Sequence, residues 1–289
     1  MPEIPLGAGT RRGTGDLLFE GAAWAAALFV AGFFLWMMAD LVVHGLPRLD
    51  LAFLTDPPRS AGREGGIGPV LVSTGMVLLV CLATSLPLGL GTALLLAEFS
   101  TGSRAGRLVR TSLDLLAGVP SIVFGLFGNA FFCEFLGFGY SILSGGLTLA
   151  CMVLPIFVRS VELGLRAVPD DYRLAGAALA MSRTRLIRSV LLPAAAPAIG
   201  AGLMLGIGRA MAETAALIFT SGYSTRVPES LLDSGRVLSL HILDLAMNVA
   251  GGEPNAYATA LVLFAFLVVI NLVASWMVER VVRRGVRLS

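Results

Sequence analysis

Residues 65–97 read GGIGPVLVSTGMVLLVCLATSLPLGLGTALLLA, with no charged side chain between Glu64 and Glu98. An α-helix rises about 1.5 Å per residue, so about 20 mostly apolar residues cross the hydrocarbon core of a bilayer. The stretch is long enough to do so with residues to spare. Moving outward from it, residues 21–39, 115–133, 135–158, 189–208 and 256–278 are also uncharged. Allowing for ends, helices are expected near 18–44, 70–97, 110–133, 140–166, 191–219 and 256–279. The reading is an all-α membrane protein with six transmembrane helices.

Composition agrees with this. Only 14% of the 289 residues are charged and 56% are hydrophobic, with a mean hydropathy of +0.84. A soluble domain carries about 25% charged residues, so this chain cannot cover a water-facing surface. The 34 glycines suit close helix packing in lipid. Arg11-Arg12 precede the first apolar run, but that run is longer than the apolar core of a signal peptide, so a membrane anchor is expected in place of a cleaved leader.

Every one of the 21 basic residues is arginine. A nucleotide-binding P-loop requires a lysine against the β- and γ-phosphates. Any ATP-driven work must therefore come from a partner. The net charge of +2 and the scatter of arginines among loops give no footprint for nucleic acid. Cys81, Cys133 and Cys151 read as small apolar residues, and His44 and His241 are isolated, so neither a disulfide framework nor a metal site is expected. No Ser/His/Asp or paired-carboxylate constellation suggests an enzyme, and no cofactor is expected.

The arginines set an orientation. With the N-terminus inside, fourteen fall on inner segments: Arg11, Arg12, Arg104, Arg107, Arg110, Arg166, Arg173, Arg183, Arg185, Arg188, Arg280, Arg283, Arg284 and Arg287. Five fall outside: Arg48, Arg59, Arg63, Arg226 and Arg236. Both termini are expected in the cytoplasm. The expected division is a tail at 1–17, a first span at 18–45, an outer loop at 46–69, a five-helix core at 70–279 and a tail at 280–289. The longest outer loop, 220–255, holds a semi-polar stretch at 231–249 with room for a short helix.

The inner segment 167–190 differs from the other loops. Asp170 and Asp171 stand at its start and Arg183, Arg185 and Arg188 at its end, which suits the dipole of a helix over 170–188 bracketed by Pro169 and Pro193. Periodicity alone leaves two readings: a helix on the membrane surface, or one that docks a cytoplasmic partner. Leu174-Ala175-Gly176, then Ala180, then Val190, Leu192 and Pro193 keep the spacing of a known signature, Glu-Ala-Ala-x3-Gly-x9-Ile-x-Leu-Pro. The segment thereby resembles the coupling loop of ABC importer permeases, with Leu174 for Glu, Gly176 for Ala, Ala180 for Gly and Val190 for Ile. Ala177 lies inside the same small-residue run.

Three further stretches resemble the A-type permease of phosphate-specific transport systems. They are GVPSIVFGLFG at 118–128, AETAALIFT at 212–220 and Val168-Pro169-Asp170. The resemblance runs from about residue 66 to 278. It implies a type I ABC importer permease fold, with the coupling helix seated in a groove of an ATPase. It also implies partners: two copies of the ATPase, a second homologous permease and an external phosphate-binding protein, all at the cytoplasmic membrane of a bacterium. The substrate implied is inorganic phosphate. A permease for another oxyanion such as sulfate or molybdate is one alternative, and an ion-driven secondary transporter, which should carry inverted repeats, is another.

A few charges lie inside the spans. Arg209 and Glu213 are spaced to share one face of the fifth span with Gly202 and Gly206. A charge at mid-bilayer costs about 2.5–3.5 kcal/mol on insertion scales, so it faces protein or water. The pair reads either as a charge-hiding ion pair or as part of a transport path, where a guanidinium matches phosphate oxygens. Arg159 and Glu162 on the fourth span pose the same choice, with snorkelling as the plainer account. Ser121 follows Pro120 and is a candidate for the path wall. Glu20, Asp40 and Asp114 are expected at the interface, and Trp24, Trp36 and Trp276 as interfacial or lipid-facing anchors.

Overall fold

The computed structural model describes residues 14–100 and 102–286. Arg11, Arg12 and Arg287 of the arginine reading lie outside them. The described residues form a helical protein. Its long helices are α1 (Thr14–Gly45), α3 (Gly68–Leu94), α6 (Ile142–Ala167), α10 (Ala196–Met211) and α13 (Glu253–Val286). Between α1 and α3 lie α2 (Leu51–Thr55) and a two-stranded antiparallel hairpin, β1 (Pro58–Arg59) with β2 (Glu64–Gly65). The remaining elements are α4 (Arg104–Ala117), α5 (Ser121–Gly128), α7 (Asp170–Ala178), α8 (Arg183–Leu186), α9 (Leu192–Ala194), α11 (Ala215–Ile218) and α12 (Leu238–Met247).

Among the described residues, four helices are long and apolar enough to cross a membrane, and six spans result when two bent helix pairs each count as one. The bends correct two expectations. The helix expected at 110–133 breaks into α4 and α5, with 104° between α4 and the segment Ser121–Phe135. Pro120 causes this: it has no N–H to give and its ring drives Val119 out of the helical region. The helix expected at 191–219 is bent by 67° between Arg183–Ala194 and Ala196–Met211. Pro197 stands at the start of α10, where a proline clashes with the carbonyl of the preceding turn. The same span also stops at Met211 and restarts at Ala215.

α6 is the central post. α3 packs along one side of it and α10 along another. The approach is close because glycines leave no side chain between backbones. A Cβ on Gly146 would fall 2.5 Å from Val80, and one on Gly202 would fall 2.8 Å from Ser160. The core so formed is apolar, with Val77, Cys81, Leu149, Val153, Phe157, Val161 and Ile207 buried. α1 stands outside this core, touching α13, with no buried residue in its most apolar stretch. Trp24, Trp36 and Trp276 are all exposed.

The region expected to hold one helix at 170–188 holds two short ones. α7 ends in a left-handed turn at Ala180, whose φ is +50°. Ala180 N–H donates to the carbonyl of Ala177 and Met181 N–H to that of Gly176, the paired bonds of a Schellman cap. The chain then folds back, and Gly176 lies against Leu186 of α8. The stretch at 231–249 holds α12, which packs on α13. Asn255 at the head of α13 donates to the carbonyls of Gly62 and Arg63, tying the hairpin loop down.

Candidate functional site

Two clusters of charge are built on the α6–α10 pair. The first is at the arginine-rich end. Glu162 is 3% exposed, which for a lone carboxylate is unfavourable. Its Oε1 accepts from Arg110 Nε at 2.8 Å and Arg166 Nε at 3.0 Å. The same two guanidinium groups each donate to the carbonyl of Leu96, at 2.9 and 3.0 Å. Leu96 lies in a π-helical turn, Leu95–Phe99, that continues α3. One carboxylate and one carbonyl therefore join α3, α4 and α6.

Arg159 belongs to this cluster on different terms. Its nearest carboxylate oxygens are Asp114 Oδ1 at 3.8 Å and Glu162 Oε2 at 4.0 Å, both longer than a hydrogen bond. Its side chain is 53% exposed. It lines a cavity of about 400 Å³ together with Arg110, Asp114, Glu162 and Leu205. Asp114, expected at the interface, is on the α4 wall of this cavity.

The second cluster is at the other end of α10. Glu213 was expected on a continuous helix with Arg209, but it falls in the break after Met211. The pair still forms, with Arg209 Nη2 3.6 Å from Glu213 Oε2. The break is held by one local and one tertiary bond: Glu213 Oε1 accepts from the N–H of Ala216 in α11, and the Glu213 carbonyl accepts from Ser239 Oγ at 2.7 Å. Gly202 and Gly206 turn to α6 and are buried. Arg209 sits at the edge of that stripe, one turn beyond exposed Leu205, and its side chain is 47% exposed.

The clusters stand on one flank. Gly206 packs on Val153, which places Arg209 near the level of residue 150, about 13 Å along α6 from Arg159. Ser121 opens α5 just past the bend. It shares a helix face with Gly125 and Gly128, and Gly125 abuts Ala216 of α11. Ser121 therefore lies on the side of α5 toward the second cluster.

The coupling-loop residues are divided. Leu174, Ala175, Ala177 and Ala180 are exposed, as are the neighbouring Tyr172 and Leu179. Gly176 is buried, while Val190, Leu192 and Pro193 are partly covered. Arg173 bonds Glu98 at 2.6 Å and the carbonyls of Val168 and Leu165 at 2.9 and 3.0 Å. Glu98 raises the Arg173 pKa further above its usual value.

Sequence reasoning missed Arg110, Asp114, Arg166 and Arg173, which it read as loop or interface charges, and assigned no role to Glu98. The Glu162–Arg166 step of four was visible in the sequence. The Arg110–Glu162 contact, spanning 52 positions, left no local signal.

Comparison with known proteins identifies the architecture. Residues 85–286 match the family described as binding-protein-dependent transport system inner membrane component. The chain belongs to that family. The family's importers work with ATPase subunits, a second permease and a substrate-binding protein. The chain is similar to a probable ABC transporter permease protein, YqgI, of Bacillus subtilis, with 31% identity covering 91% of this chain and 94% of that one. It is also similar to the phosphate transport system permease protein PstA 1 of Mycobacterium tuberculosis, with 36% identity over 78% and 73% of the two chains. Among solved structures it resembles a bacterial ABC transporter involved in alginate import, with a TM-score of 0.64 and 13% identity over 92% of this chain and 98% of that one. The MetNI methionine transporter gives a TM-score of 0.52 at 17% identity, over 76% and 94%. The fold is that of a type I ABC importer permease, embedded in the membrane. Family membership sets aside the ion-driven alternative.

Proposed function

We propose that this permease conducts inorganic phosphate inward across the cytoplasmic membrane of a bacterium, with both termini in the cytoplasm. The observation that carries the reading is the flank of α6 and α10. Two guanidinium groups, Arg159 and Arg209, stand half exposed along one apolar wall, each beside a buried glutamate. A multiply charged anion needs such charges to cross a low-dielectric region. Arg209, Glu213, Arg159, Glu162 and Ser121 are proposed to line or brace this path. Similarity to phosphate permeases supports the choice of substrate.

The exposed residues Leu174, Ala175, Ala177 and Ala180 dock the ATPase in this reading, with Gly176 setting the hairpin and Val190, Leu192 and Pro193 its hinge to α10. Two ATPase copies close on ATP and pull on 170–188. Arg173 hands that motion to α3 through Glu98 and to α6 through the Leu165 carbonyl. The cavity then opens outward, receives phosphate from the external binding protein, and releases it inward on return. This chain itself does no covalent chemistry.

The test is ATP-driven uptake by the complete complex in proteoliposomes, offered phosphate, sulfate or molybdate with the matching binding protein. Uptake of phosphate alone is expected. Uptake of sulfate or molybdate in its place would overturn the substrate.

A further inference from the structure

The cavity between α4, α6 and α10 offers an acceptor as well as a donor, and the two are set apart from the ion pairs that hold the fold. Glu162 is satisfied by Arg110 and Arg166 at 2.8 and 3.0 Å. Arg159 is left with contacts of 3.8 and 4.0 Å, too long to engage its N–H groups. Asp114 is 61% exposed, and among the described residues no hydrogen bond reaches its carboxylate. Both side chains face the same space of about 400 Å³, which accommodates a tetrahedral oxyanion.

A carboxylate in an anion path is costly unless it performs a selection. Phosphate retains at least one proton at neutral pH and can donate it in a hydrogen bond. Sulfate retains none, so a carboxylate beside it gives only repulsion. From the geometry we infer that Asp114 and Arg159 form a selectivity site for a protonated oxyanion: Arg159 donates to the anion's bare oxygens, and Asp114 accepts from its hydroxyl. Asp114 is thus a specificity-determining residue, rejecting fully ionised anions of the same shape. The buried Glu162, held by two arginines, fixes the wall against which Arg159 rests. The inference deepens the phosphate reading and depends on it.

The test uses the complete permease–ATPase complex in detergent, without the external binding protein, and follows the 31P linewidth of inorganic phosphate with sulfate as competitor. The native complex should broaden the phosphate signal, with sulfate competing at least about tenfold more weakly than phosphate itself. Rejection of an analogue that lacks a hydroxyl is strong in buried sites and smaller where water reaches the pair. Asp114→Asn keeps an acceptor but loses the charge, so phosphate broadening should persist and sulfate should compete about tenfold better. Arg159→Ala should abolish broadening. Absence of broadening in the native complex, equal competition by sulfate there, or unchanged competition in Asp114→Asn would overturn the site. Uptake in proteoliposomes separates the two claims: phosphate import by a complex that fails this test removes the Asp114 site alone, whereas no phosphate import removes the substrate reading too.

Discussion

Arg159 with Glu162 and Arg209 with Glu213 look alike in sequence, but the fold treats them differently. In both pairs the glutamate is buried and the arginine half exposed. Glu162 has two further arginines within hydrogen-bond reach, so Arg159 is not needed to neutralise it. Glu213 has Arg209 at 3.6 Å and one backbone N–H, so Arg209 is its main counter-charge. Adjacent opposite charges therefore do not reveal which residue is structural. What decides is how many other partners the buried member holds. At the first cluster the arginines that neutralise the glutamate and the arginine left loosely held are different residues; at the second, one arginine is both half exposed and the main counter-charge.

The largest expected effect breaks the first cluster. Glu162→Ala leaves Arg110 and Arg166 facing each other without their shared carboxylate. Removing one partner of a buried ion pair costs about 3–5 kcal/mol, so the yield of assembled complex should collapse. Glu213→Ala removes one hydrogen bond to a backbone N–H and one loose ion pair, worth about 1–2 kcal/mol. Size-exclusion yields of the two variants compare them directly, and equal losses would erase the distinction between the two clusters.

A second contrast is in pH. His241 on α12 is 1% exposed, and its pKa is held down to about 4 by burial and by Arg236 nearby. A histidine whose folded pKa is depressed is neutral in the fold and charges first in the unfolded chain. Its contribution is therefore complete above the ordinary value of 6.5 and shrinks as pH falls toward 4. About 2 kcal/mol should be gone by pH 5. His241→Leu should flatten the fall in melting temperature between pH 7 and 5, and an unchanged slope would place the acid sensitivity elsewhere.

The smallest effect concerns the turn at the end of α7. Ala180 holds φ of +50°, where alanine is disfavoured and glycine is not. Ala180→Gly should stabilise the α7 turn by about 0.5–1 kcal/mol. Slower hydrogen exchange at the Met181 amide would register it, and faster exchange would show that the Schellman turn is not the resting form.

The spans were legible because long uncharged runs have few other uses. The resemblance of residues 174–193 to a coupling loop was legible because those residues fall at fixed intervals. The breaks were less so. Pro120 was in plain view, yet GVPSIVFGLFG is apolar on both sides and reads as continuous. The break after Met211 contains neither glycine nor proline at its centre; it depends on Ser239 reaching back to the Glu213 carbonyl. The site charges divide in the same way. Arg159, Glu162, Arg209 and Glu213 stood out against apolar neighbours, whereas Arg110 and Asp114 lay among other polar residues of an amphipathic helix. Only the fold, by crossing α4 over α6, makes them part of the cavity.

Of the two half-exposed arginines, Arg159 alone is free to serve the anion and not the fold, because Glu162 keeps two other partners without it. The measurement is binding-protein-dependent phosphate uptake by proteoliposomes carrying Arg159→Ala, alongside the yield of assembled complex. Native yield is expected, with uptake reduced at least about tenfold, the equivalent of one 1.4 kcal/mol interaction lost from the path. Native uptake at native yield would contradict a role in the path, and would leave Arg159 as a snorkelling side chain at the membrane edge.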